Sequence, residues 1–294
     1  MRPSFLLAVV GTLAASSLAF GQPDSEAAAP AVEEATCPLS LNLTLDWVSG
    51  YYWRGIVSEN SGFILQPGAT LTWAAVANDD VSLDLFVGTW HSFHSIAEAS
   101  GTENDFIKHW YETDVSGGAA LSVGSWSLEG IYQYYGSASE SFDSIQAIDV
   151  TLAYDDSECL GDWAIQPYVM YSLEIGADGT DAAELERGQY LELGIEPGYE
   201  WKPHGDAGKT ISLTFPTSAG FSLGEFYEDE AGEDDTFGFV QTGIKASIPL
   251  GEWAGGDWSL VTGLSLMYLG DNTAEYNDGQ ETVVVGSVGV SVDF

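Results

Sequence analysis

Three of the chain's four histidines, His91, His94 and His109, bracket one short segment, with Ser92 beside the first and the acids Glu98, Glu103 and Asp105 between. Imidazoles and carboxylates are zinc ligands, and with a serine they are also the parts of a hydrolase. The His-x-x-His spacing of His91 and His94 is loose for a metal, and the chain contains no Gly-x-Ser-x-Gly, no His-Glu-x-x-His and no phosphate loop. A metal at these histidines is the weak reading, and hydrolysis ranks third among the functions weighed.

Carboxylates are the more abundant chemistry. The chain holds 45 Asp and Glu against 7 Lys and Arg, a formal charge of −38, which excludes nucleic acid as a partner. The stretch EFYEDEAGEDD (225–235) packs seven carboxylates into eleven residues without the ligand order of an EF-hand. Such a cluster either holds Ca²⁺ or Mg²⁺ loosely or is solvated, so no resident cofactor is expected. Cys37 and Cys159 are the two cysteines, and a disulfide between them is the remaining covalent possibility.

The elements that must position these groups announce themselves by alternation. In LNLTLDW, Leu41, Leu43, Leu45 and Trp47 oppose Asn42, Thr44 and Asp46; YLELGIEPGYEW repeats the pattern with Leu191, Leu193 and Ile195 against Glu192, Gly194 and Glu196. A period of two means strands with one face in an apolar medium. Twelve such segments are expected, near 40–54, 62–76, 80–92, 109–123, 125–136, 144–155, 163–175, 188–201, 209–222, 237–250, 257–269 and 281–294. Short connections alternate with long acidic ones, and aromatics gather near strand ends, as in WVSGYYW and YQYY. Glutamates along the polar faces would be intolerable in the dry core of a sandwich. The expected fold is therefore all-β, a transmembrane antiparallel up-and-down β-barrel of about twelve strands, with outer-membrane lipid as its surroundings.

Upstream, Met1-Arg2 and the apolar run FLLAVVGTLAASSLAF read as a signal peptide spanning 1–21, and the Ala/Pro/Glu-rich stretch 22–38 as a periplasmic linker before the barrel, 39–294. Cleavage there removes Arg2 and no acid, leaving 45 acids against six bases. An even strand count places both termini on the periplasmic side of a Gram-negative-type outer membrane.

Taking the polar parity of each strand as inward gives a lumen lined by Asp46, Asp84, Glu112, Asp114, Glu129, Asp149, Glu174, Glu192, Glu196, Glu200 and Asp293, with Arg54 and Lys245 as its bases. Such a lining favours passive, cation-tolerant passage of small solutes, in the manner of a porin. The alternative is a non-conducting scaffold or binding barrel whose acids solvate the lumen or share protons in pairs. Arg54, placed near the outer rim by parity, is either a structural clamp or a ligand-orienting constriction. Loop positions Gly232 and Asn277 are expected to lie outside and to accept insertions.

The motif YYWRGI (Tyr51–Ile56) resembles the aromatic-Arg-Gly signature of a family of bacterial outer-membrane β-barrel proteins that have no established substrate. YETD (111–114), GQYLELGI (188–195), LTFPTSAGFSLGEFY (213–227) and ASIPL (246–250) are similar to that family too. The resemblance implies a barrel whose last strand, with Val290, Val292 and a terminal Phe294, is read by the barrel assembly machinery. Replacing Phe294 with Ser should then impair insertion and leave export intact. The check is the yield of heat-modifiable, membrane-embedded protein, and an unchanged yield would contradict the assignment.

Overall fold

The computed structural model describes residues 38–78, 80–96, 104, 106–177, 187–203, 209–229 and 231–294. The expected signal peptide, nearly all of the linker and Cys37 lie outside the described residues.

Twelve antiparallel strands follow one another around a closed barrel. They are β1 (Leu39–Val48), β2 (Ile64–Ala77), β3 (Val81–His94), β4 (Trp110–Val123), β5 (Trp126–Gly136) and β6 (Ile145–Tyr154). Next come β7 (Pro167–Ala177), β8 (Gln189–Ile195, resuming as Gly198–Trp201) and β9 (Ile211–Thr214, resuming as Thr217–Gly224). Last are β10 (Phe237–Trp253), β11 (Gly256–Leu269) and β12 (Thr282–Asp293). Closure is made by β1 on β12, with Leu43 opposite Val292 and Trp47 opposite Val288. The interruptions in β8 and β9 fall at Pro197 and Pro216, which have no N–H to give the ladder. Their carbonyls still accept, from Phe215 N and Gly243 N at 2.9 Å each, so the wall stays continuous.

The outward face is apolar along every wall: Leu45, Leu71, Val87, Val115, Leu128, Val150, Leu193, Leu264 and Val288 are all exposed. Water would penalise such a belt at roughly 25 cal/mol per Å², whereas hydrocarbon does not. Trp73, Trp126, Trp201 and Trp253 stand exposed near the ends of their strands, the place of an interfacial aromatic girdle. No helix among the described residues is long and apolar enough to cross a membrane; the strands do the crossing.

The two ends differ, as the spacing of connections predicts. At one, the turn end, β2–β3, β4–β5 and β10–β11 join by tight turns, and β6–β7 by a connection carrying the short helix α1 (Ser157–Leu160). At the other, the loop end, the connections are longer, and β11–β12 carries α2 (Asp271–Tyr276).

The first loop corrects the expected boundaries. The first strand does not run to residue 54; it stops at Val48, and a separate hairpin of Tyr51–Trp53 and Ile56–Glu59 follows. The reversal is Arg54-Gly55, at φ 49° and 88°, the pair of left-handed residues that a two-residue type I′ hairpin turn requires. Alternation therefore continues through YYWRGI on a chain that has already left the wall.

That hairpin goes inward. Inward side chains near the turn end, such as Asn42, Thr72, Asp84, Lys245 and Ser259, keep partial exposure. Toward the loop end Asp46, Gln66, Ser92, His94, Gln133, Asp149, Ser222 and Val285 are buried. The lumen is filled on its loop side; toward the turn end some inward side chains keep partial exposure, while Phe86, Ala120, Glu129, Val261 and Ser291 are buried.

Candidate functional site

The hairpin tip is built around one cation. Arg54 is fully buried, and its Nη2 lies 3.4 and 3.5 Å from the two carboxylate oxygens of Asp149 on β6. Three aromatic rings enclose the guanidinium, Tyr190 at 4.4 Å, Trp53 at 4.8 Å and Phe226 at 5.3 Å to the centroids. Desolvated cation–π contacts of this kind contribute about 2 kcal/mol each at most. Burial opposes the charge, but Asp149 and the surrounding phenols push the group's pKa above its ordinary value, so it stays ionised. The guanidinium is nevertheless incompletely bonded, for Nε and Nη1 are buried without a hydrogen-bond partner among the described residues.

The rest of the hairpin spans the lumen from wall to wall. Tyr51 packs with Val48 and Ile64 and tilts against Trp90 at 5.4 Å and Tyr111 at 6.4 Å, on the β1–β4 side. Trp53 meets Tyr135 of β5 edge-on at 5.6 Å. Tyr52, Ile56 and Val57 join Phe239, Met267, Leu269, Val283 and Val285 from β10–β12. Burial and the neighbouring Glu112 and Asp114 raise the Tyr51 phenol well above its usual range, so it remains a neutral donor toward Glu112.

Two loop residues catch the tip by its backbone. The Tyr227 hydroxyl, kept protonated by burial, donates to the Arg54 carbonyl at 2.9 Å. Asn277 Nδ2 donates to the Gly55 carbonyl at 2.9 Å and to the Thr273 carbonyl at 2.6 Å. Asn277 is therefore buried and not the outer loop point expected from its sequence. The same two loops are tied together by Asn272 Nδ2, which donates to the carbonyls of Tyr227 and Glu233 at 2.8 Å.

Most of the lumen acids occupy one side; Asp46 of β1, Asp84 of β3 and Asp293 of β12 lie outside that group. Glu112 and Asp114 of β4, Glu129 of β5, Asp149 of β6, Glu174 of β7 and Glu192 and Glu196 of the β8 segment come from five consecutive strands. Opposite them, β9–β12 present Ser218, Ser222, Gln241, Ser265, Ser287 and Ser291. Glu192 accepts from the hydroxyls of Tyr190 and Tyr168, the latter at 2.6 Å. Glu112 is buried, while Asp84, Asp114, Glu196 and Lys245 keep partial exposure. The Lys245 ammonium acts electrostatically on the Asp46 carboxylate of β1. Arg54 does not sit at the outer rim: it lies inside, on the hairpin, because strand parity has no meaning beyond Val48. No sequence signal pairs it with Asp149, 95 residues away.

Other expected sites do not assemble. His91 and His94 are three residues apart on one strand and so face opposite sides of the wall. The His91 ring nitrogens lie 3.2 Å from Thr89 Oγ1 and Thr113 Oγ1. His94 stacks on Tyr111 at 4.4 Å, with Nε2 2.9 Å from Ser92 Oγ, and His109 Nδ1 donates to the His94 carbonyl at 2.7 Å. The three rings thus make separate structural contacts, and among the described residues no His, Cys, Asp or Glu group forms a metal cage; Glu98, Glu103 and Asp105 lie outside the described residues. In the acidic loop Asp234 accepts from the Phe226 and Tyr227 amides and Ser222 Oγ, and Asp229 from the Ala231 and Glu233 amides. These carboxylates shape the loop. Cys159 is exposed in the β6–β7 connection, and its expected partner Cys37 lies outside the described residues. At the seam, Val288 and Phe294 are exposed while Val292 is covered at the turn end. Phe294 and Leu41 exchange backbone hydrogen bonds at 2.9 and 3.2 Å.

No family model and no curated protein matches the chain. Among solved structures, an outer-membrane channel from Pseudomonas putida F1 aligns at a TM-score of 0.48 and 12% identity, over 91% of this chain and 100% of that one. The β domain of a Bordetella autotransporter aligns at 0.44 and 12%, over 87% and 98%. The KdgM porin aligns at 0.40 and 9%, over 86% and 97%. None of these likenesses bears on what this chain binds or passes.

The buried tip gives a proteolytic test. Arg54-Gly55 is a trypsin site within a loop, yet it should resist cleavage in the folded barrel. In Gly55→Val a Cβ must exist at φ 88° and would press on Phe239 Cδ1 at 3.0 Å and Thr273 Cγ2 at 3.1 Å. Strain of about 1–3 kcal/mol should expel the tip and open the bond to trypsin. Mass spectrometry of the fragments reads the outcome; rapid cutting after Arg54 in the unmutated protein would refute its burial.

Proposed function

We propose that this barrel resides in the outer membrane of a Gram-negative-type bacterium, with its turn end and both termini in the periplasm, and gives small solutes a passive, cation-preferring route. The observation that carries the reading is the uneven lumen, in which most inward carboxylates come from β4–β8 and face a hydroxyl-rich wall from β9–β12. A fixed excess of negative charge between low-dielectric walls attracts cations and repels anions. Of the two inward bases, Arg54 is already committed to Asp149, so the remaining carboxylates keep most of their field. Small neutral solutes meet hydroxyl and amide groups able to replace their water. The apolar belt supports bilayer lipid as the barrel's surroundings, and Val290, Val292 and Phe294 on the closing strand are the proposed signal to the assembly machinery.

A second reading has its own observation. The loop half of the lumen is filled by the hairpin and by buried side chains, which favours a non-conducting scaffold if that filling is permanent.

Asp84 and Glu196 are partly exposed and are the acids best placed to act on a passing ion. Changing them together to Asn and Gln keeps polar side chains and removes two carboxylates. Reversal potentials of refolded protein in planar bilayers should then move toward non-selectivity, most at low ionic strength where screening is weak. Selectivity equal to that of the unmutated barrel would contradict the role assigned to the lumen acids.

A further inference from the structure

We infer that the Tyr51–Glu59 hairpin is a hinged gate, latched shut by Arg54 on Asp149, which closes the passage on its loop side. The inference rests on the passage reading above and adds where and how the route is controlled.

Three observations separate a gate from a fixed plug. First, the hairpin's strands pair only with each other and add no rung to the barrel ladder. It enters the lumen by side-chain packing, by the side-chain ties of Tyr51 to Glu112 and Arg54 to Asp149, and by two backbone acceptors at its tip, so it can leave without breaking the wall.

Second, both legs are pinned to the rim at points with a glycine beside them. On one leg Ser49 N donates to the Gly286 carbonyl at 2.9 Å, Gly286 N donates to Ser49 Oγ at 2.9 Å, and Gly50 follows. On the other, Ser95 N donates to the Phe63 carbonyl at 2.8 Å and Phe63 N to Ser95 Oγ at 2.7 Å, next to Gly62 at φ 72°. Fixed pins flanked by glycine on each leg are the parts of a hinge that swings the intervening segment as one body.

Third, the latch is poorly satisfied. A guanidinium offers five N–H donors. Here a single nitrogen reaches one carboxylate, at 3.4 and 3.5 Å, the long limit of a hydrogen bond, and Nε and Nη1 have no partner among the described residues. Buried donors left unbonded cost free energy that water would restore on opening. Aromatic packing and two tip hydrogen bonds favour the closed state, while stranded donors and a left-handed arginine oppose it. Such opposition suits a two-state element whose balance is easily moved.

Closing therefore places the tip carbonyls on Tyr227 and Asn277 and the guanidinium against Asp149. Opening releases all three at once and withdraws Tyr51, Tyr52 and Trp53 from the centre of the lumen.

Single-channel recording of the full barrel tests this with four proteins, each first shown to be heat-modifiable. The unmutated barrel should be mostly closed with brief openings. Asp149→Asn and Asn277→Ala should each raise open probability about tenfold, the change expected when one catch worth roughly 1.4 kcal/mol is lost. Replacing Tyr51–Glu59 by a short Gly-Ser linker should give a steadily open pore of the same ion preference. If the linker protein conducts and neither point variant alters open probability, the latch is wrong and the passage reading stands. If the folded linker protein is silent, the passage reading itself fails, and the gate with it.

Discussion

A charged guanidinium inside a barrel must be neutralised locally, because neither hydrocarbon outside nor the filled lumen around it will solvate the ion. Arg54 meets that constraint with Asp149, with three aromatic faces and with a left-handed turn that points it at the β6 wall. Much of the loop-end architecture follows. Tyr190 must lie beneath the cation and so is held through its hydroxyl by Glu192; Phe226 and Tyr227 must reach in from the β9–β10 loop, whose shape depends on Asp234 accepting their amides. Asn272 then binds that loop to α2, and Asn277 closes the circle on Gly55.

The hairpin divides the lumen into two unlike compartments. Its apolar edge, with Tyr52, Ile56 and Val57, uses Met267, Val283 and Val285 as a dry seat, which explains the run of inward apolar residues at the loop end of strands that carry serine and glycine further down. On the turn side, Asp84, Lys245 and Glu196 retain contact with solvent and set the field that a solute meets from that end. The outer surface is indifferent to these arrangements, being apolar on every strand.

Much of this was legible before the structure, for a physical reason. Period-two patterning is a local property, so the twelve strands, their inward acids and the unequal ends follow from the chain, with bounds off by a few residues. Asp149, Glu112 and Glu192 were placed inward correctly by the same rule. The hairpin was not, because YYWRGI alternates as a strand does; the signals for it were Arg-Gly as a two-residue turn and Gly50 and Gly62 at its flanks. Partners far apart in sequence, such as Arg54 with Asp149 or Asn277 with Gly55, left no mark in spacing. Parity separates two of the histidines, since a separation of three residues cannot put His91 and His94 on one face of a strand.

The central claim is that the first loop resides within the barrel and is held there. Amide hydrogen exchange of the refolded protein in detergent addresses it directly, residue by residue. The amides of Tyr52, Trp53, Ile56 and Val57 should exchange at least about a thousandfold more slowly than in the urea-unfolded chain, as expected of packed structure with limited opening. Exchange of these four amides at the unfolded rate, with the wall strands still protected, would place the hairpin outside the lumen and contradict the account.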